Sequence, residues 1–112
     1  MTPEEDHNAN SQASGLLAGM PPELRASLLA LYVDDTAERM TQMIGLLEVG
    51  DLERVSREAH AVKAGSLQVG ENEVANLAQE LRHAIDAGDP AGIRRGHTEL
   101  VEAFARARER LS

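Results

Sequence analysis

An all-α fold, an antiparallel up-down four-helix bundle, is what this sequence predicts, and three observations predict it. Apolar residues recur at spacings of three and four through most of the chain, the period of one face of a helix. The core formers are Leu, Val, Ile, Met and Ala, with one Tyr, one Phe and no Trp, a composition suited to packed helices rather than to a β-sandwich. Gly50-Asp51, Gly70-Glu71-Asn72 and Gly88-Asp89 cut the periodic stretches into segments of helical length.

The first helix opens at Pro21-Pro22-Glu23, since Pro is tolerated in a first turn and Glu favours the positive helix start. Leu24, Leu28, Leu31 and Tyr32 then share a face. The phase slips through Val33-Asp34-Asp35-Thr36 and resumes at Met40, Met43, Ile44 and Leu47, so this first helix is expected to be long and bent, or split in two. Leu52, Val55, Ala59, Val62, Ser66 and Val69 form the seam of a second helix from about Asp51 to Val69. A third carries Val74, Leu77, Ala78, Leu81 and Ile85 inward, and a fourth Ile93, Leu100, Phe104, Ala107 and Leu111, with His97 beside that last seam as packing. Gly50-Asp51 and Gly88-Asp89 are one device used twice: Gly ends a helix in a left-handed conformation and Asp caps the next. Such tight turns make neighbours antiparallel, with Gly50 and Gly88 at one end of the bundle and Gly70 at the other.

At 112 residues the chain has room for one domain, expected over 20–112, preceded by a disordered acidic tail, 1–19, that contains Glu4, Glu5 and Asp6 and lacks helical period. Absence of cysteine excludes disulfides, thiolate catalysis and cysteine metal sites. A net charge of -8 argues against nucleic acid and against an anionic membrane surface. With no long apolar run and no signal-peptide pattern, a cytoplasmic protein is expected.

The residue that stands apart is His60. It sits one step round from the seam residue Ala59, on a flank shared with Arg57, Lys63, Ala64 and Leu67. A half-exposed imidazole with an ammonium one turn later can act as a nucleophile while the cation draws in an anionic group. Ala64 and Gly65 add to this, because Gly within a helix costs about 1 kcal/mol against Ala and two small residues suit close approach by a partner surface. Lys63 is the only lysine, and Arg54, Arg57 and Arg82 can lie near it, a basic island that suits a phosphoryl group. The hairpin supplies the opposite wall. Residues equidistant from Glu71 lie at one height on antiparallel helices, which pairs His60 with Arg82 and Lys63 with Gln79. Arg82 is then placed as a forked donor toward a phosphoryl oxygen.

His60-x-x-Lys63, the small residues after it, and Val69-Gly70 nine and ten positions past the His together resemble the phosphoacceptor helix of histidine phosphotransfer (HPt) domains. The resemblance covers about Glu23 to Leu111, including Leu28, Tyr32, Met40 and Leu47, then Gly50-Asp51, Leu77-Ala78, Leu81 and Gly88-Asp89. Two positions depart from the family pattern: Ala64 stands where Gly usually follows the Lys, and Arg82 where Gln or Glu is commoner. The resemblance implies a carrier in a phosphorelay, in which His60 accepts a phosphoryl group on Nε2 from a receiver-domain aspartate and passes it to another receiver. It assigns Lys63 to transfer, Arg82 and Gln79 to stabilising the phosphoryl group, and Leu28, Tyr32, Arg57, Ala64, Gly65 and Leu67 to docking. The implied partners are response-regulator receiver domains and a hybrid histidine kinase. No cofactor of its own is implied, since the receiver supplies Mg²⁺, and no ATP site or autokinase activity; the protein is expected to be a monomer. The alternative is a helical docking or scaffold protein for a receiver or kinase, with His60 unphosphorylated. A metal centre would need His60, His83 and His97 to converge with carboxylates from three different helices, which their positions make awkward.

Overall fold

The computed structural model describes residues 17–111. Within them the chain forms four main helices: α1 (Pro22–Glu48), α2 (Leu52–Gln68), α3 (Asn72–Asp86) and α4 (Pro90–Leu111). They make an all-α bundle in which each helix packs on the next and α1 also touches α4.

α1 is one continuous helix of 27 residues. The apparent slip of phase disappears once Thr36, only 2% exposed, is counted as core: Tyr32, Thr36, Met40, Met43 and Leu46 then make an unbroken buried stripe at spacings of three and four. The seam expected from Leu24, Leu28 and Leu31 is not buried, with exposures of 55%, 37% and 66%, and Ile44 is 50% exposed. For the three leucines the reason is length. α1 has 27 residues and α2 has 17, so at about 1.5 Å per residue α1 overhangs its hairpin partner by roughly 15 Å. Leu29 and Val33 instead face Leu111, near the end of α4.

The tail expected over 1–19 lies outside the described residues as far as residue 16. Leu17 falls on the tail side of that boundary, yet it is 8% exposed and packs in the core. The Arg25 Nη1 atom helps hold it there by donating to the Leu17 carbonyl at 3.2 Å. The folded unit therefore begins before residue 20, because an apolar side chain upstream of Pro21 closes the open end of the bundle.

The hairpins share one geometry. Gly50, Gly70 and Gly88 have φ of 75°, 78° and 63°, where a β-carbon would be strained. The residue after each donates its N–H back into the helix just ended: Asp51 to Leu46 at 2.9 Å, Glu71 to Ser66 at 2.8 Å and Asp89 to Ala84 at 3.1 Å. Asp51 also caps α2 by accepting from the Arg54 N–H. Glu71 instead takes a fork from Arg110, whose Nη2 and Nη1 donate to its two carboxylate oxygens at 2.9 and 3.3 Å.

Val55, Ala59 and Val62 of α2, Val74, Ala78 and Leu81 of α3, and Leu100, Ala103 and Ala107 of α4 are at most 1% exposed. A β-carbon on Gly96 would lie 3.4 Å from the Leu81 α-carbon, so its absence lets α4 ride close on the backbone of α3. The groove between α2 and α3 holds the site.

Candidate functional site

His60 projects from α2 as an exposed side chain, next to Ala59, which is fully buried. One step of roughly 100° separates core from solvent there. The imidazole is held from the other side of the groove: Arg82 on α3 donates from Nη1 to His60 Nδ1 at 3.1 Å. Its Nε donates to Ser56 Oγ at 3.3 Å, so the guanidinium spans one turn of α2 and touches the side chains four residues apart on it. With Nδ1 turned to α3, the distal nitrogen Nε2 stands at the outer end of the ring.

One turn along, Lys63 donates from Nζ to Gln79 Oε1 at 3.0 Å. The Gln79 amide continues to His83, its Nε2 lying 2.9 Å from the ring Nε2. An amide nitrogen only donates, so His83 Nε2 is the acceptor. The pairs His60–Arg82 and Lys63–Gln79 are therefore the two rungs of one hairpin ladder. Gln79 does not reach His60; both ends of its amide are engaged by Lys63 and His83.

The remaining predicted site residues divide. Ala64 and Leu67 are exposed on the His60 flank, Leu67 by 39%. Leu28 is 37% exposed. It lies well along the bundle: Tyr32 meets Gly65 and Arg39 meets Glu58 across α1 and α2, which puts Leu28 level with Val69, roughly 13 Å from the height of His60. Arg57 is exposed and leans on Glu53 at 3.6 Å, and Arg54 lies 4.0 Å from Asp51. The expected basic island thus reduces to Lys63 and Arg82, since the other two arginines are paired along their own helix.

Tyr32, read from sequence as a docking residue, belongs to the interior instead, whereas Gly65, read the same way, is half-buried. Tyr32 is 8% exposed and its ring stands edge-on to Phe104 at 6.3 Å. Its hydroxyl shares a 2.8 Å hydrogen bond with Ser66 Oγ. Burial raises the Tyr32 pKa, with the Ser66 hydrogen bond acting in the opposite sense. A β-carbon on Gly65 would meet the Tyr32 ring at 3.7 Å, an ordinary packing distance, so the space there does not by itself require Gly.

Sequence reasoning missed Ser56 and His83. Both had a signal, since Ser56 precedes His60 by four residues and His83 follows Gln79 by four, the spacing of stacked side chains on one face. His97 is half-buried, its Nε2 is without a hydrogen-bond partner, and burial lowers its pKa. Among the described residues no group of three or more His, Cys, Asp and Glu side chains is arranged to hold a metal ion, and no helix is long and apolar enough to cross a membrane.

An exposed histidine on the second helix of a four-helix bundle, flanked by a lysine one turn on, is the pattern that comparison with known families then meets. The family model of the Hpt domain matches residues 27–110. The chain belongs to the Hpt domain family. No curated protein and no solved structure matches it. Hpt membership means histidine phosphotransfer within phosphorelay signalling, by a carrier domain without kinase activity that works with receiver domains and kinases. The Hpt match contains His60, Lys63, Gln79 and Arg82 together with nearly the whole bundle that positions them.

Proposed function

We propose that His60 is the phosphoacceptor of this Hpt domain, taking a phosphoryl group from a receiver-domain aspartate and handing it to a second receiver. One observation carries the reading: Arg82 holds the ring through Nδ1 at 3.1 Å, which presents Nε2 outward on an exposed face with Lys63 one turn away. In the transfer, the Nε2 lone pair forms the N–P bond as the P–O bond to the aspartate breaks, and that electron pair leaves on the carboxylate. Chemistry of this kind asks mainly for position and charge. Position comes from the rigid α2–α3 hairpin. Charge comes from Lys63, a point charge on a flexible stem, which Gln79 parks within reach of the groove.

In this reading Ala64 and Leu67 form the near docking surface and Leu28 its far edge, all exposed. Mg²⁺ belongs to the receiver. The partners are response-regulator receiver domains and a hybrid histidine kinase, and the protein acts as a cytoplasmic monomer. A scaffold that only docks its partner would need neither the paired cations nor an imidazole held by one nitrogen, so the carrier reading is the better supported. The test is incubation with a phosphorylated receiver. Acid-labile label on His60 is expected; label on His83 or on no histidine would overturn the assignment.

A further inference from the structure

The contact between Arg82 and His60 constrains where the imidazole proton sits. A guanidinium donates hydrogen bonds and cannot accept them. Since Arg82 Nη1 lies 3.1 Å from His60 Nδ1, Nδ1 supplies a lone pair to that contact, and the single proton of the neutral ring is on Nε2. That is the tautomer with no lone pair at Nε2. A ring held in this way presents the reacting nitrogen outward but in its unreactive form. The hold has a second anchor, because Arg82 Nε donates at 3.3 Å to Ser56 Oγ, one turn before His60 on the same helix.

Resting on the reading of His60 as phosphoacceptor, we infer that Arg82 and Ser56 form a latch that keeps unphosphorylated His60 in its non-nucleophilic tautomer until a phosphoryl group draws the guanidinium away. A phosphoryl oxygen carries charge and a neutral imidazole nitrogen does not, so the guanidinium exchanges the weaker partner for the stronger. As Arg82 leaves, solvent carries the ring proton from Nε2 to Nδ1. The freed Nε2 pair then forms the N–P bond, the P–O bond to the aspartate breaks, and its electron pair goes to the carboxylate. The ring keeps its proton on Nδ1. A donor-only side chain cannot return to a protonated Nδ1, so Arg82 stays with the phosphoryl oxygens. The two positions of Arg82 are thus mutually exclusive and are selected by the state of His60. A Gln or Glu at this position, the commoner residue in the family that the sequence resembles, could accept from Nδ1–H and would favour the reactive tautomer at rest. This chain has the opposite bias.

The test reads the proton directly. The full chain is labelled with imidazole ¹⁵N histidine and its His60 tautomer ratio is measured by NMR at about pH 8.5, above the ordinary histidine pKa, with His60→Gln assigning the resonances. Releasing an exposed hydrogen bond of this kind changes an equilibrium by about fivefold. The ratio of Nε2–H to Nδ1–H is expected to fall by about that factor in Arg82→Ala and by less in Ser56→Ala. In Arg82→Glu, whose carboxylate only accepts, it is expected to invert. A wild-type ring with its proton mainly on Nδ1, or a ratio that is the same in wild type, Ser56→Ala and both Arg82 variants, overturns the latch. A wild-type chain that shows these ratios but takes no phosphoryl group from any receiver would count against the carrier reading, so the two failures are told apart.

Discussion

Tyr32 Oη and Ser66 Oγ lie 2.8 Å apart inside the bundle and tie α1 to α2 six residues past His60. Ser66 is fully buried and Tyr32 is 8% exposed. Tyr32→Phe keeps the ring against Phe104 and Gly65 but leaves the Ser66 hydroxyl with only its own helix carbonyls to bond. Urea denaturation is expected to show a loss of about 1 kcal/mol, with phosphoryl transfer unchanged. A transfer defect with unaltered stability would place Tyr32 at the partner surface after all.

Ala64 and Leu67 should fail in the other way. Both are exposed on the His60 flank, where an acidic receiver pocket would dock, so Ala64→Glu and Leu67→Asp set like charges face to face. Each is expected to slow transfer from a phosphorylated receiver by about tenfold or more, with helical content and melting near wild type. Unchanged rates in both would locate docking on another face.

Lys63→Met keeps the apolar stem and removes the charge beside the groove. Transfer is expected to slow by about fivefold, the worth of a partly screened charge contact, as read by rapid quench. Gln79→Ala, which frees Lys63 from its 3.0 Å tether without removing it, should have the smaller effect. The reverse order would make Gln79, not Lys63, the group that meets the phosphoryl oxygens.

His97 predicts a pH dependence of stability. Burial lowers its folded-state pKa below the ordinary value of 6.5, so the unfolded chain takes up the proton first as pH falls. Its contribution is fully present above about pH 6.5 and is lost as pH drops through that value toward the lowered one. Replacing His97 with Gln should flatten the fall in melting temperature between about pH 7.5 and 5.5 relative to wild type. Parallel curves for the two proteins would show that the orphaned Nε2 is reached by water.

These outcomes bear on what the sequence made legible. α2, α3 and α4 were readable because each has a neighbour along most of its length, so apolar period and buried face coincide. At the start of α1 they part company: Leu24 and Leu31 share a face, but α2 does not reach that overhang, and periodicity carries no information about what lies across from it. Thr36 hid in the same helix because a polar residue in a core stripe looks like a break. At the site, the His60–Arg82 and Lys63–Gln79 rungs followed from counting outward from one turn. Which nitrogen Arg82 grips, and that Ser56 steadies it, depended on side-chain geometry that spacing does not carry. Tyr32 was misplaced for a related reason, since an aromatic residue serves an interface inside the bundle as well as one outside it.

The most direct measurement is the site and chemistry of labelling after brief incubation with a ³²P-phosphorylated receiver. The wild-type chain is expected to carry acid-labile, base-stable label, to lose it to a second receiver, and to map by fragmentation to His60. His60→Gln is expected to remain unlabelled while folding and melting as wild type, because His60 flanks the core instead of filling it. Label in a well-folded His60→Gln would contradict the account at its centre.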